Sequence, residues 1–235
     1  MGMINMNKEQ IIFRFINTEY YEEFLNYVPH REFHDLSIVY YELGQDKRRA
    51  TLITNQAADE QDLSEQELYE LAMKNTKEWS SPTVKKMSAL LKEFDEEIKD
   101  ESPEEQEIYI ITNEYNQFGA VSILYEDTLD KVAQIAGTDL YLLPSSEHEF
   151  LAITVNGQWP LDELQRLVYH VNMTQVDPKE RLSNQVYHYD MTTKEITQAT
   201  HSQYTSLVSV RDEWSDMLEE VEDFDSDMQM GMVLV

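Results

Sequence analysis

The chain has no cysteine, and only 6 of its 235 residues are glycine and 6 proline. Without cysteine there are no disulfides, no thiolate metal sites and no cysteine nucleophiles, and the lack fits a reducing compartment. So little glycine and proline leaves no low-complexity linker. Positive charge is also scarce. Lys and Arg total 18 against 46 Asp and Glu, a net charge of -28. That balance opposes direct binding to nucleic acid or to an anionic membrane and leaves basic partners, cations or plain solubility. Long apolar runs are missing, since no stretch approaches the ~20 residues of a membrane span. The opening MGMINMNKEQIIFRF has no basic segment followed by an apolar run and a small-residue cleavage site, so no signal peptide is read. Met6 stands where a myristoylation signal wants Ser or Thr. These exclusions predict a soluble, cytoplasmic protein without a membrane partner.

What is present is enough to build a core. Hydrophobic residues make up 41% of the chain and aromatics 11%, more than a disordered chain carries. Residues 18–27 predict a short helix capped by Thr18, with Tyr20, Phe24 and Tyr27 at helical spacing and Pro29 as its stop. Leu36 to Leu43 predicts a strand, and Ala50 to Thr54 its returning partner. Ser64 and Glu67 form a capping box that opens a helix over 64–75. Pro82 predicts the first turn of a helix running to about Lys99. Glu107 to Thr112 and Phe118 to Tyr125 predict a hairpin. A helix over 127–136 stops at Gly137, and strands at 139–143 and 150–155 flank a polar corner. Pro160 begins an amphipathic helix, Asp177-Pro178 a short helical turn, and 185–189 with 195–197 a further hairpin. Strands arriving in hairpins between helices predict an α+β fold with a largely antiparallel sheet. The expected regions are 1–105, 106–211 and an acidic helical tail over 212–235, with 1–211 as one continuous domain the alternative.

Five phrases, in order, carry a resemblance: FLNYVPHREFHDLSIVYYEL (24–43), LSEQELYELAMKNT (63–76), ITNEYNQFGAVSILY (111–125), LYLLPSSEHEFLAI (140–153) and VNMTQVDPKERLSNQVYHYD (171–190). Together they resemble an uncharacterised bacterial family, a domain of unknown function found mainly in gut anaerobes, over about residues 11–198. Relative to that family the chain is expected to lack an additional N-terminal segment, and the acidic tail lies outside the shared pattern. The resemblance implies a bacterial or mobile-element origin, supports the α+β reading and implies no activity.

Two constellations admit catalysis. Pro144-Ser145-Ser146-Glu147-His148-Glu149 ends a predicted strand, where loops present functional groups. Ser145 or Ser146 as nucleophile and His148 as base would need mutual hydrogen-bond reach and an oxyanion donor pair, and the GxSxG elbow is absent. The simpler reading is a hydroxyl-rich turn whose serines bond local backbone. His34-Asp35 resembles the paired ligands of metal-dependent hydrolases, but no HExxH or comparable spacing accompanies it. Closing the turn before the strand at Leu36 is its simpler role. No phosphate-cradling glycine loop and no calcium-binding DxDxDG occurs, so no cofactor or metal is expected. Trp79, Trp159 and Trp214 read as core and interface residues, because stacking on bases needs neighbouring basic charge.

Acidic clustering is the remaining signal. Residues 59–70 hold 6 acids, 93–107 hold 9 and 212–227 hold 9 more, together 24 of the 46. Carboxylates three and four residues apart on a helix lie about 5–6 Å from each other, and duplex DNA carries a charge roughly every 1.7 Å. A folded acidic face can therefore imitate a phosphate rail, although such runs also serve solubility. The interaction candidates are Glu93, Asp95, Glu96, Glu97, Asp100, Glu101, Asp212, Glu213, Asp216, Glu219, Glu220, Glu222 and Asp223. The expectation is a non-enzymatic interaction protein with a basic protein partner, in its sharpest form a nucleic-acid mimic of the anti-restriction or anti-CRISPR type. The alternative is a hydrolase or metal enzyme using the serine-rich corner or the His-Asp pair. A third reading has the tail helix docking on a partner or forming a homo-oligomer.

Overall fold

The protein is described by a computed structural model, which covers residues 6–45, 49–94, 107–201 and 222–223. It is an α+β fold built from antiparallel sheets with helices packed on them. The chain divides into two units, Met1–Ser81 with Ser206–Val235, and Pro82–Thr205. The division falls ahead of the boundary expected near residue 105 because residues 82–86 pair with the strand that follows them.

In the first unit, β1 (Ile11–Asn17) pairs along its whole length with β3 (Leu36–Leu43), from Ile11 opposite Glu42 to Asn17 opposite Leu36. β2 (His30–Phe33) and β4 (Arg49–Leu52) share the other edge of β3 end to end. Every residue of β1 is buried, Arg14 and Asn17 among them. Short α1 (Glu22–Leu25) carries the fully buried Phe24. The helix expected over 18–27 shrinks to these four residues because Thr18 does not cap it. Its hydroxyl bonds Ser37 Oγ at 2.8 Å, while Asn17 Oδ1 accepts from the Tyr20 amide at 2.7 Å. α2 (Asn55–Glu60) is capped by Thr54. α3 (Glu65–Trp79) starts at the Ser64–Glu67 capping box, as the sequence predicts. α3 also closes the free edge of β1. Thr76 Oγ1 accepts from the Phe13 amide at 3.2 Å, and Asn75 Nδ2 donates to the carbonyls of Lys8 and Ile11 at 2.8 and 3.0 Å. An edge strand satisfied by a helix is not a template for aggregation.

The second unit is a six-stranded antiparallel sheet in the order β10-β9-β7-β8-β6-β5. Its strands are β5 (Pro82–Lys86), β6 (Ile108–Asn113), β7 (Leu140–Ser146), β8 (Glu149–Thr154), β9 (Tyr187–Tyr189) and β10 (Ile196–Gln198). Residues 82–86 are thus a strand and not the start of a helix. Proline is tolerated as a strand's first residue, and Thr83 and Val84 suit the pleat. The described helix, α4 (Met87–Phe94), begins five residues later than expected. Buried Glu107 serves its first turn, accepting from the Ser88 amide at 3.2 Å and the Ser88 hydroxyl at 2.6 Å.

Phe118–Tyr125 is not the second strand of a hairpin. β5 and β8 occupy both edges of β6, so this segment has no edge to join. It forms instead a 3-10 helix over Gly119–Leu124, with the Ser122 hydroxyl donating to the Thr112 carbonyl at 2.8 Å. β7 runs past Pro144 to Ser146, pairing Pro144 with Phe150 and Ser146 with Glu149 across a register shift. The bulge accommodates a proline that has no N–H to offer the ladder. Helices α5 (Glu126–Ala136) and α6 (Leu161–Thr174) match their expected positions, and α5 stops at left-handed Gly137.

Pleating sorts the sheet's side chains into two faces. Leu143, Ile153 and Val186 pack with Leu164 and Val168 of α6. Leu140, Leu142, Phe150, Ala152, Tyr187 and Tyr189 are fully buried on paired positions that alternate with those. Each such large side chain contributes about 1.5–3 kcal/mol on burial. The acidic helix expected over 212–227 lies outside the described residues except for Glu222–Asp223. Those two form a short strand, β11, opposite Ala50 and Arg49 of β4, and not a helical turn.

Candidate functional site

The β7–β8 corner gathers the ionisable groups that the sequence singles out. Glu147 and His148 form its turn. The 3-10 turn Pro178–Glu180, capped by Asp177, delivers Glu180 beside it, and the Glu147 amide donates to the Glu180 carbonyl at 2.9 Å. From the other side comes the turn after β6. There Asn113 Oδ1 accepts from the Tyr115 and Gln117 amides at 3.1 and 3.3 Å, and Phe118 sits in the left-handed region at φ 50°. Gly119 follows with no room for a side chain. A Cβ there would lie 2.4 Å from Thr112 Oγ1 and 2.7 Å from the His148 carbonyl oxygen. Only glycine allows backbone and corner to approach this closely.

His148 is held on both ring nitrogens. Nδ1 accepts the Phe118 amide proton at 3.1 Å, and Nε2 lies 3.4 Å from Glu180 Oε1. A neutral imidazole carries one proton. With Nδ1 accepting, that proton is on Nε2 and points to Glu180. Burial pulls the imidazolium down. The Glu180 hydrogen bond and the charges of Glu147, Glu180 and Glu149 outweigh it, leaving His148 above its ordinary value. Glu149 is pushed up by burial, against the opposing pull of a Ser145 hydrogen bond, His148 and Lys85.

This geometry decides what the corner can do chemically. Ser146 Oγ accepts from the His148 amide at 3.1 Å, and Ser145 bonds the Glu149 side chain. Neither serine has His148 as its base, because both ring nitrogens are engaged elsewhere. Glu147, His148 and Glu180 place donor atoms within 4.8 Å of one another, a spacing a cation could use. A metal on Nε2 would need that nitrogen deprotonated while Nδ1 still accepts from Phe118, which is an imidazolate. Metal-bound histidine ordinarily donates from its other nitrogen, so His148 is not set up as a metal ligand while it holds Phe118.

His34 and Asp35 belong to the first unit. They form the two-residue loop between Phe33 and Leu36, with His34 at φ 58°, the backbone such a hairpin requires. The Asp35 carbonyl accepts from the Thr18 amide at 3.2 Å, and the His34 ring packs on Phe33 with centroids 4.8 Å apart. Of the acidic candidates, Glu93 lies in α4, and Glu222 and Asp223 form β11. Asp95, Glu96, Glu97, Asp100, Glu101, Asp212, Glu213, Asp216, Glu219 and Glu220 lie outside the described residues.

The third acidic run, 59–70, is described and is partly consumed by structure. Glu65 is gripped at two points by Arg31, at 2.9 and 2.8 Å, and also accepts from the Tyr40 hydroxyl. Glu67 closes the capping box, and Glu70 accepts from Gln66 at 2.7 Å. Sequence reasoning missed Glu180, the Arg31–Glu65–Tyr40 cluster, and Asp130, which accepts from both Tyr189 and Lys194. Only the Asp177-Pro178 turn hinted at a fixed place for Glu180.

The family of unknown function DUF5688 matches residues 2–191. The chain belongs to that family. The DUF5688 match takes in Phe118, the Ser145–Glu149 corner and Glu180, so the whole arrangement falls within the family's span. No curated protein matches the chain, and no solved structure does. Among the described residues, no helix is long and apolar enough to cross a membrane.

Proposed function

We propose that this DUF5688 protein is a non-enzymatic interaction protein whose partner is basic. The observation that carries the reading is the excess of carboxylates, 46 against 18 basic side chains. Internal pairing cannot neutralise such an excess, so the surface field favours positively charged partners and speeds their encounter. The candidate catalytic groups are occupied in ways that support the same reading. Both His148 nitrogens, the Ser146 hydroxyl and the His34–Asp35 loop hold turns together.

In its sharpest form the partner is a nucleic-acid-binding protein and the acidic surface stands in for phosphates. The test is binding of candidate nucleases and DNA-binding proteins to the full chain across a salt series, with competing DNA. A steep loss of affinity with salt and displacement by DNA are expected. Binding that is indifferent to salt sinks the basic-partner reading. Salt-sensitive binding that DNA does not displace removes only the phosphate imitation.

A further inference from the structure

We propose that His148 is a proton-operated latch: neutral, it holds the Phe118–Leu124 segment against the β7–β8 corner, and charged, it lets the start of that segment go. The inference follows from where its two nitrogens point. Nδ1 is the acceptor for the Phe118 amide at 3.1 Å, and Nε2 faces Glu180 at 3.4 Å. Protonating the ring puts a hydrogen on Nδ1, so two N–H groups then face each other and the bond to Phe118 is lost. The bond holds Phe118 at a left-handed φ of 50° that few L-residues adopt unaided. The segment it secures lies flush on the corner. Ala120 donates its amide to the Glu147 carbonyl at 3.2 Å, and Thr112 Oγ1 donates to the His148 carbonyl at 2.8 Å. The Phe118 and His148 rings pack with centroids 5.5 Å apart.

The charged groups around the ring favour the proton. Glu180 comes from the 3-10 turn, and Glu147 and Glu149 come from the corner itself. Lys85 of β5 acts on Glu149, β6 contributes neutral Thr112, and residues 118–124 carry no ionisable side chain. The folded chain therefore holds this proton more tightly than the unfolded chain does. The attraction of imidazolium for carboxylates is complete below the ordinary histidine value of ~6.5 and fades as pH rises through the raised folded value. The Phe118 bond runs the other way, present above that folded value and lost below it. The corner thus exchanges one interaction for another within about pH 5 to 8, a local change and not unfolding.

The test follows the Phe118 amide and the His148 ring by NMR on the full chain across that pH range. The expected result is an upfield movement of the Phe118 amide proton on acidification, with the same midpoint as the His148 ring. In His148→Gln, whose carbonyl accepts at every pH, the Phe118 amide should not titrate. Should that variant fail to fold, Glu180→Gln serves instead and should lower both midpoints together. A His148 ring that titrates without moving Phe118 overturns the proposal. So does a ring that does not titrate in this range, a Phe118 transition that persists in His148→Gln, or midpoints unmoved in Glu180→Gln.

Discussion

Tyr40 and Glu65 meet inside the first unit: the hydroxyl of a fully buried tyrosine on β3 donates to the carboxylate that begins α3. Arg31 of β2 binds the same carboxylate at two points and stacks over Tyr69, 3.8 Å from its ring centre. One side chain therefore joins two strands to the helix. Burial, with the Glu65 hydrogen bond, pushes the Tyr40 phenol well above its ordinary value, so it stays a donor throughout the working range.

Removing that junction should be costly. Glu65→Ala leaves a buried hydroxyl and a guanidinium without their shared acceptor, and a loss of about 2 kcal/mol is expected. Tyr40→Phe removes a donor and leaves no orphan, so its cost should be smaller, about 1 kcal/mol. Urea unfolding of both variants checks the order, and equal losses would contradict it.

The same carboxylate sets an acid limit. Burial pushes Glu65 up, but hydrogen bonds from Arg31 and Tyr40, with the charges of Arg31 and His30, hold it below the ordinary glutamate value. A depressed folded value means that the contribution is present above the unfolded value of ~4.3 and lost as pH falls through the folded one. Midpoints measured from about pH 6 down to 3 should fall, and Glu65→Gln should flatten part of that fall.

Two glycines should respond to alanine for different reasons. At Gly119 the new Cβ would meet Thr112 Oγ1 at 2.4 Å and the Asn113 nitrogen at 2.7 Å, so overpacking of about 1–3 kcal/mol is expected. At Gly137 nothing lies within 4 Å, and only the φ of 71° penalises alanine, by about 1 kcal/mol. Chemical denaturation separates them, and Gly119→Ala should also shift the NMR signals of Thr112 and His148.

Thr76→Val keeps the shape of the side chain but removes the acceptor of the Phe13 amide at the edge of β1. A buried unpaired donor should cost about 1–3 kcal/mol. Hydrogen exchange at Phe13 should speed up beyond the global change, and an unaltered rate there would show that the edge is held by other contacts.

Local signals were legible in the chain itself. The Ser64–Glu67 box, the glycine ending α5, the Leu36–Leu43 strand and the hairpin of β9 and β10 rest on residues a few positions apart, and each formed where the pattern placed it. Where the reading failed, distant partners had intervened. Pro82 looked like a helix start because nothing near it announces β6. Phe118–Tyr125 looked like a strand because its composition cannot show that both edges of β6 are already taken.

The sequence by itself determined the α+β class, the excess of negative charge and the absence of thiol chemistry, because composition and short-range periodicity suffice for these. Only tertiary structure decided that the His148 ring meets Phe118 and Glu180, thirty and thirty-two positions away, and leaves the Ser146 hydroxyl to its own backbone amide. A turn residue's neighbours in space are chosen by which strands pair, and pairing depends on the burial of whole faces, which no local stretch of sequence encodes.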